Sequence, residues 1–250
     1  MKKAIAVLAC LAILSGCSGK DEYYAIDHFY IPEEGDAFRA AFSQLTVDTY
    51  SWYAGIEGEK GVYIVHYDLY TKELMQEWAD LGIYRTVPLD DLKYLVCSPN
   101  YLEDSGISLP DEDKELIGDG VRIYLLPDSL SEEEREAITA FLSEDDIHGL
   151  NDHELIPTAF SSNPRMEFRT YSFSGTLDTL SDGEVRDPVI YAAGTANMRY
   201  FESESLIATG VKDGYIKLTE EAYRRYAGDN LPKELKDRKV TFKGLSRIRN

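Results

Sequence analysis

Eleven consecutive apolar residues, Ala4 to Leu14, follow Lys2 and Lys3 at the head of a 250-residue chain. Two lysines and then a short apolar run fit the n- and h-regions of a secretory signal. At ~1.5 Å rise per residue such a helix is roughly 16 Å long. That is too short for a hydrocarbon core of ~30 Å, so a spanning anchor is not expected. This run sets which residues can enter the folded body and on which side of a membrane they fold. The chain as a whole has a folding composition: 44% of the residues are hydrophobic and 28% charged. There is enough apolar side chain to bury a core. Against 45 acids stand 26 Lys and Arg, a formal charge of −19. A chain this acidic repels phosphate, which excludes nucleic acid as a partner.

The apolar run ends at Leu14-Ser15-Gly16-Cys17, which resembles the lipobox of bacterial lipoproteins. The resemblance implies diacylglycerol on the Cys17 thiol, acyl chains such as palmitate, and cleavage before that residue. The expected location is the extracytoplasmic face of the cell membrane, with the bilayer as partner through Cys17. Residues 1–16 are then signal peptide and 17–27 the lipidated cysteine and tether. Losing Lys2 and Lys3 with the signal leaves a side-chain charge of −21. Cys10 leaves too, so Cys97 stands alone in the apolar run Leu95-Val96-Cys97 and reads as a small buried residue.

Hydrophobic spacing predicts helices at 36–45, 72–81 (capped by Thr71), 132–143 and 220–227 (capped by Thr219). Ser131 and Glu134 have the spacing of a capping box. Strands are predicted at 61–67, 91–98, 121–126, 166–173, 188–193 and 239–243, with a hairpin over 206–218 turning at Lys212-Asp213-Gly214. Residues 18–25 read as tether and 103–120 as a surface loop. The fold class is α+β: mixed sheets with a few packed helices. The boundaries allow two lobes, an α/β lobe at 28–155 and a mostly β lobe with a basic tail at 156–250.

Charge is uneven. From Glu103 to Glu154, 17 acids face three bases; from Lys233 to Asn250, seven bases face two acids. The acidic stretch reads as a solvated face, or as a surface for metal ions or cationic peptides. The basic tail reads as a frayed terminus, or as a segment lying on anionic lipid. Weak metal candidates are His148, Asp152 and His153, in a cluster whose spacing matches no defined motif. No nucleophile elbow, H-E-x-x-H, P-loop or dinucleotide fingerprint is present. No catalytic residue and no cofactor are expected, and an enzyme is the minority reading.

Four segments occur in a suggestive order: Leu95 to Leu102, Val121 to Pro127 followed by an acidic helix, Asp187 to Tyr191, and Gly214 to Leu218. This order resembles the extracytoplasmic region of the bacteriocin-associated integral membrane proteins, FtsX/MacB-like permease subunits of ABC systems. The resemblance covers roughly residues 85–225. It implies an exported domain held by lipid, since those proteins carry transmembrane helices after this region and this chain shows none. The expected role is a non-enzymatic accessory or sensing domain beside an ABC export or bacteriocin-immunity system. Its expected partners are an ABC permease or a cationic peptide. The alternative is a surface lipoprotein that binds a solute or envelope polymer.

Overall fold

The computed structural model describes residues 23–149, 160–161, 163–207 and 214–245. Several strands contain continuous buried apolar runs, among them Val62 to Val65 of β2 (Val62–Tyr70) and Tyr94 to Cys97 of β3 (Leu92–Cys97). Such runs belong in a sheet covered on both faces. In chain order the elements begin β1 (Tyr23–His28), α1 (Gly35–Ala54), β2, α2 (Lys72–Asp80), β3, α3 (Pro99–Asp104) and α4 (Asp111–Gly118). They continue β4 (Arg122–Pro127), α5 (Glu132–Gly149), β5 (Met166–Tyr171), β6 (Leu177–Asp178), β7 (Glu184–Val185) and β8 (Val189–Ala192). The last are α6 (Tyr200–Ile207), β9 (Ile216–Thr219), α7 (Glu220–Tyr226), α8 (Lys233–Asp237) and β10 (Thr241–Leu245).

Eight strands form one mixed sheet in the order β10-β1-β9-β2-β3-β8-β4-β5, and β6 pairs with β7 in a small hairpin. The fold is therefore α+β. On one face, side chains such as Ile64, Tyr94, Tyr124 and Tyr191 pack under α1, α2, α5, α6, α7 and α8. Alternate residues, such as Val65, Leu95, Leu125 and Ile190, face α3, α4 and the β6–β7 hairpin. The first is called the broad face here and the second the narrow face.

The expected boundary near 155 does not divide this sheet. β8 lies between β3 and β4, and β9 lies between β1 and β2. Each half of the chain thus supplies neighbours that the other half needs for its backbone hydrogen bonds.

Local signals account for many of the elements. The Thr71 and Thr219 hydroxyls each accept from the backbone N–H three residues on, at 3.3 Å, and so start α2 and α7. Ser131 accepts from the Glu134 amide at 3.3 Å while the Glu134 carboxylate accepts from the Ser131 amide at 2.6 Å, which makes a capping box. Gly61 has φ +79°, and a Cβ there would lie 2.2 Å from the Thr219 hydroxyl. Only glycine lets β2 begin this close to the end of β9.

Four expectations are corrected. The tether does not reach residue 25, because Tyr23 to His28 form a strand between β9 and β10. The stretch 103–120 contains α4, whose Asp111, Glu112 and Asp113 favour its positive end. The hairpin over 206–218 is the end of α6 followed by β9, with Lys212 and Asp213 outside the described residues. And residues 233–245 are not frayed: they form α8 and β10, and β10 pairs with β1.

Candidate functional site

Cys17 lies outside the described residues, and the domain opens at Tyr23. Six residue steps span at most ~20 Å. Tyr23 stands opposite Leu245 of β10 on one side and Thr219 of β9 on the other. The end of the sheet where β1 begins, termed the Tyr23 end, is therefore also where β9 and β10 finish. By the same registers β2 begins there, β3 and β8 finish there, and β4 begins there.

Of the metal candidates, His148 falls in the last turn of α5, which runs past the end expected at residue 143. Asp152 and His153 lie outside the described residues. Among the described residues no three His, Cys, Asp or Glu side chains gather into a metal-holding group. Cys97 is fully buried, and burial pushes its thiol pKa well up. Thiolate, the reactive form, is correspondingly scarce. His28 is exposed. His66 is buried on β2, 2.9 Å from the Asp68 carboxylate, and its ring stacks on Tyr215 at 4.3 Å.

The structure reveals buried polar centres that the sequence does not announce. Arg122 is 1% exposed and donates to Glu202 of α6 at 2.6 Å. Its guanidinium lies 4.8 Å from the Tyr191 ring centre and 5.5 Å from that of Tyr124. Burial opposes the charge on Arg122, but the Glu202 carboxylate together with Tyr124, Tyr191 and Tyr94 outweighs it and holds the pKa well up. Burial, chiefly, also raises the phenols of Tyr94 and Tyr191. This cluster is a buried cation facing a carboxylate, with the phenols of Tyr94 and Tyr191 held in their protonated form beside it.

Asn197, fully buried, latches the loop after β8. Its Nδ2 donates to the carbonyls of Val121 at 3.1 Å and Ala192 at 3.0 Å, and its Oδ1 accepts from the Gly194 amide at 2.8 Å. Beside it Glu57 accepts from the Thr195 amide at 2.9 Å and from the Thr195 hydroxyl. On the narrow face Asp113 is 1% exposed and accepts from Arg169 of β5 at 3.1 Å. Arg169 in turn reaches Glu167, which also takes Arg165. Both partners lower the Glu167 pKa. Arg122, Asn197, Glu57 and Asp113 each tie one element to another, which is structural work.

The acidic middle of the chain does not form one surface. α4 packs on the narrow face through Ile117, whereas α5 packs on the broad face through Ile138, Phe141 and Leu142. The sheet separates the two sets of acids. Exposed large apolar side chains include Leu69, near the end of β2, and Leu81, Ile83 and Leu89, in the connection from α2 to β3. Single exposed apolar residues are ordinary, and these four fall within one stretch of chain, from Leu69 to Leu89.

No helix among the described residues is long and apolar enough to cross a membrane. Comparison with protein families, with curated proteins and with solved structures finds no match.

Proposed function

We propose that this chain is a lipoprotein held on the extracytoplasmic face of a cell membrane through acyl chains on Cys17. We further propose that its domain is a non-enzymatic accessory to an ABC export or immunity-type system. One observation carries the anchoring. A lipobox-like Leu14-Ser15-Gly16-Cys17 is followed, after five intervening residues, by a strand built into the interior of the sheet. A signal segment is thereby separated from the domain by a tether only. The accessory role is supported by the resemblance of residues 85–225 and by the exposed apolar side chains around α2. The buried polar groups also fit it, since their bonds join elements of the fold.

The test is the mature N-terminus in a bacterial host. Mass spectrometry should find a peptide beginning at Cys17 with two or more acyl chains, and Cys17→Ala should leave the protein unlipidated and out of the membrane fraction. An unacylated start beyond residue 17 sinks the anchoring. Crosslinking on intact membranes should recover an ABC permease. Recovery of an envelope polymer instead sinks the accessory role and favours the binding-lipoprotein reading.

A further inference from the structure

β3 and β8 are parallel neighbours, with Cys97 opposite Ala192, and both finish at the Tyr23 end. Their continuations part there. The chain after β3 goes to the narrow face, where Tyr101 and Leu102 of α3 and Ile117 of α4 are buried. The chain after β8 goes to the broad face, where Leu206 and Ile207 of α6 are buried. Parallel neighbours whose continuations leave by opposite faces open a crevice between them, and open sheets bind small molecules at such points. Three segments meet at this one: Ser98 to Asn100 after β3, Gly194 to Asn197 after β8, and the turn 55–61 between α1 and β2.

Polar groups converge on it. Glu57 and Thr195 are both half-buried, and the Glu57 carboxylate accepts from the Thr195 amide and hydroxyl. Those two bonds leave about half of a carboxylate's ~four acceptor sites open. The Tyr53 hydroxyl is fully buried and has no hydrogen-bond partner. Ser98 and Glu57 lie near it, neither in hydrogen-bond geometry. Ser98 is already engaged, since its Oγ donates to Asn100 at 2.6 Å and accepts from the Ile64 amide at 3.1 Å. Burial first, and then the Glu57 charge, keep the Tyr53 phenol protonated. A buried hydroxyl without a partner is costly, so a ligand that supplies one gains by it.

We infer that this crevice binds the primary ammonium group of a small solute, with Glu57 as its counter-charge and the Tyr53 hydroxyl as a second acceptor. The inference stands apart from the anchoring and goes beyond the accessory role. An ammonium brings one positive charge and three N–H donors, which suit a carboxylate with open lone pairs and a phenol oxygen. An anion is disfavoured by Glu57 itself, by Glu59 on the same turn and by Asp104, which accepts from Tyr63 at this end of the sheet. A quaternary ammonium carries the charge but no N–H, so it leaves Tyr53 without a partner.

The test is a titration of the isotopically labelled chain from Cys17 onward, followed by NMR. Methylammonium chloride is compared with tetramethylammonium chloride at matched ionic strength. Methylammonium should shift the Glu57 and Thr195 amide signals saturably, and tetramethylammonium should not. Glu57→Gln should weaken methylammonium binding roughly 10- to 100-fold, the range for a hydrogen bond to a charged group. Tyr53→Phe, which keeps the ring, should weaken it roughly 2- to 10-fold. Glu59→Gln removes an exposed acid of the same turn and should change it by less than about twofold. Urea midpoints show which variants remain folded, and the comparison of the two cations decides even if a variant unfolds. No saturable shift with methylammonium, or equal shifts from both cations, overturns the inference. Undiminished binding in folded Glu57→Gln or folded Tyr53→Phe overturns it too. An unlipidated N-terminus in cells would instead overturn the lipoprotein reading and leave this measurement standing.

Discussion

Glu202 is the group that allows Arg122 to be buried with its charge. A guanidinium 1% exposed and facing Tyr124 and Tyr191 needs a carboxylate at 2.6 Å to offset its lost hydration. Glu202→Gln should cost about 3–5 kcal/mol in urea denaturation, because it removes the carboxylate charge that faces the buried cation. Arg122→Met with Glu202→Leu should recover most of that loss, since an apolar pair of similar volume carries no desolvation penalty. A double variant no more stable than the single one would contradict this account. Little of the centre can be read in the sequence. Arg122 looks there like a stray base in an acidic stretch, and its partner is 80 residues away. Cys97 differs, because its environment is written in its immediate neighbours: Leu95 and Val96 announce a buried strand, and the thiol is buried.

Elements begun by a local cap are the legible ones. Thr71, Ser131 and Thr219 act on amides three residues away, so sequence spacing is sufficient to find them. β1 is missed because nothing local identifies it: its partners are Lys217 to Thr219 and Thr241 to Leu245. The supposed hairpin over 206–218 fails for the same reason. Leu206 and Ile207 are apolar because a helix buries them on the broad face, not because they pair with β9. One tie between elements should show in the acid limb of stability. Glu144 of α5 accepts from the Arg85 amide and the Thr86 hydroxyl, and so fastens the α2–β3 connection to α5. Burial works to raise this carboxyl, but those donors and the Thr86 amide outweigh it and hold the pKa below its ordinary value of 4.5. A folded pKa below the unfolded one contributes stability that is fully present above the unfolded value and is lost as pH falls through the folded value. Glu144→Gln should therefore lower Tm by about 1–3 °C at neutral pH, and the difference from wild type should shrink below about pH 4.5. A difference that stays constant to low pH would remove this carboxylate from the account.

At the scale of the whole molecule, the interleaved strand order predicts one cooperative unit. Without residues 156–250, β3 and β4 lose β8, and β1 loses both of its neighbours. A fragment of residues 17–155 should show no sigmoidal urea transition. In the chain from Cys17 onward, tryptophan fluorescence and far-UV circular dichroism should report coincident midpoints. A fragment that melts cooperatively would restore the two-lobe description. Class and order of elements are legible at this scale; which strands meet is not, because pairing over such separations leaves no periodic mark in either strand. The same register sets a timetable. A ribosome or an export pore releases the chain from its N-terminus, so β1 emerges early and waits for residues 216–245 before it has a partner on either side. Closing such long-range pairs is slow. The strand nearest the N-terminus is among the first made and among the last to be satisfied, so the sheet cannot close at that strand until nearly all of the chain has been released.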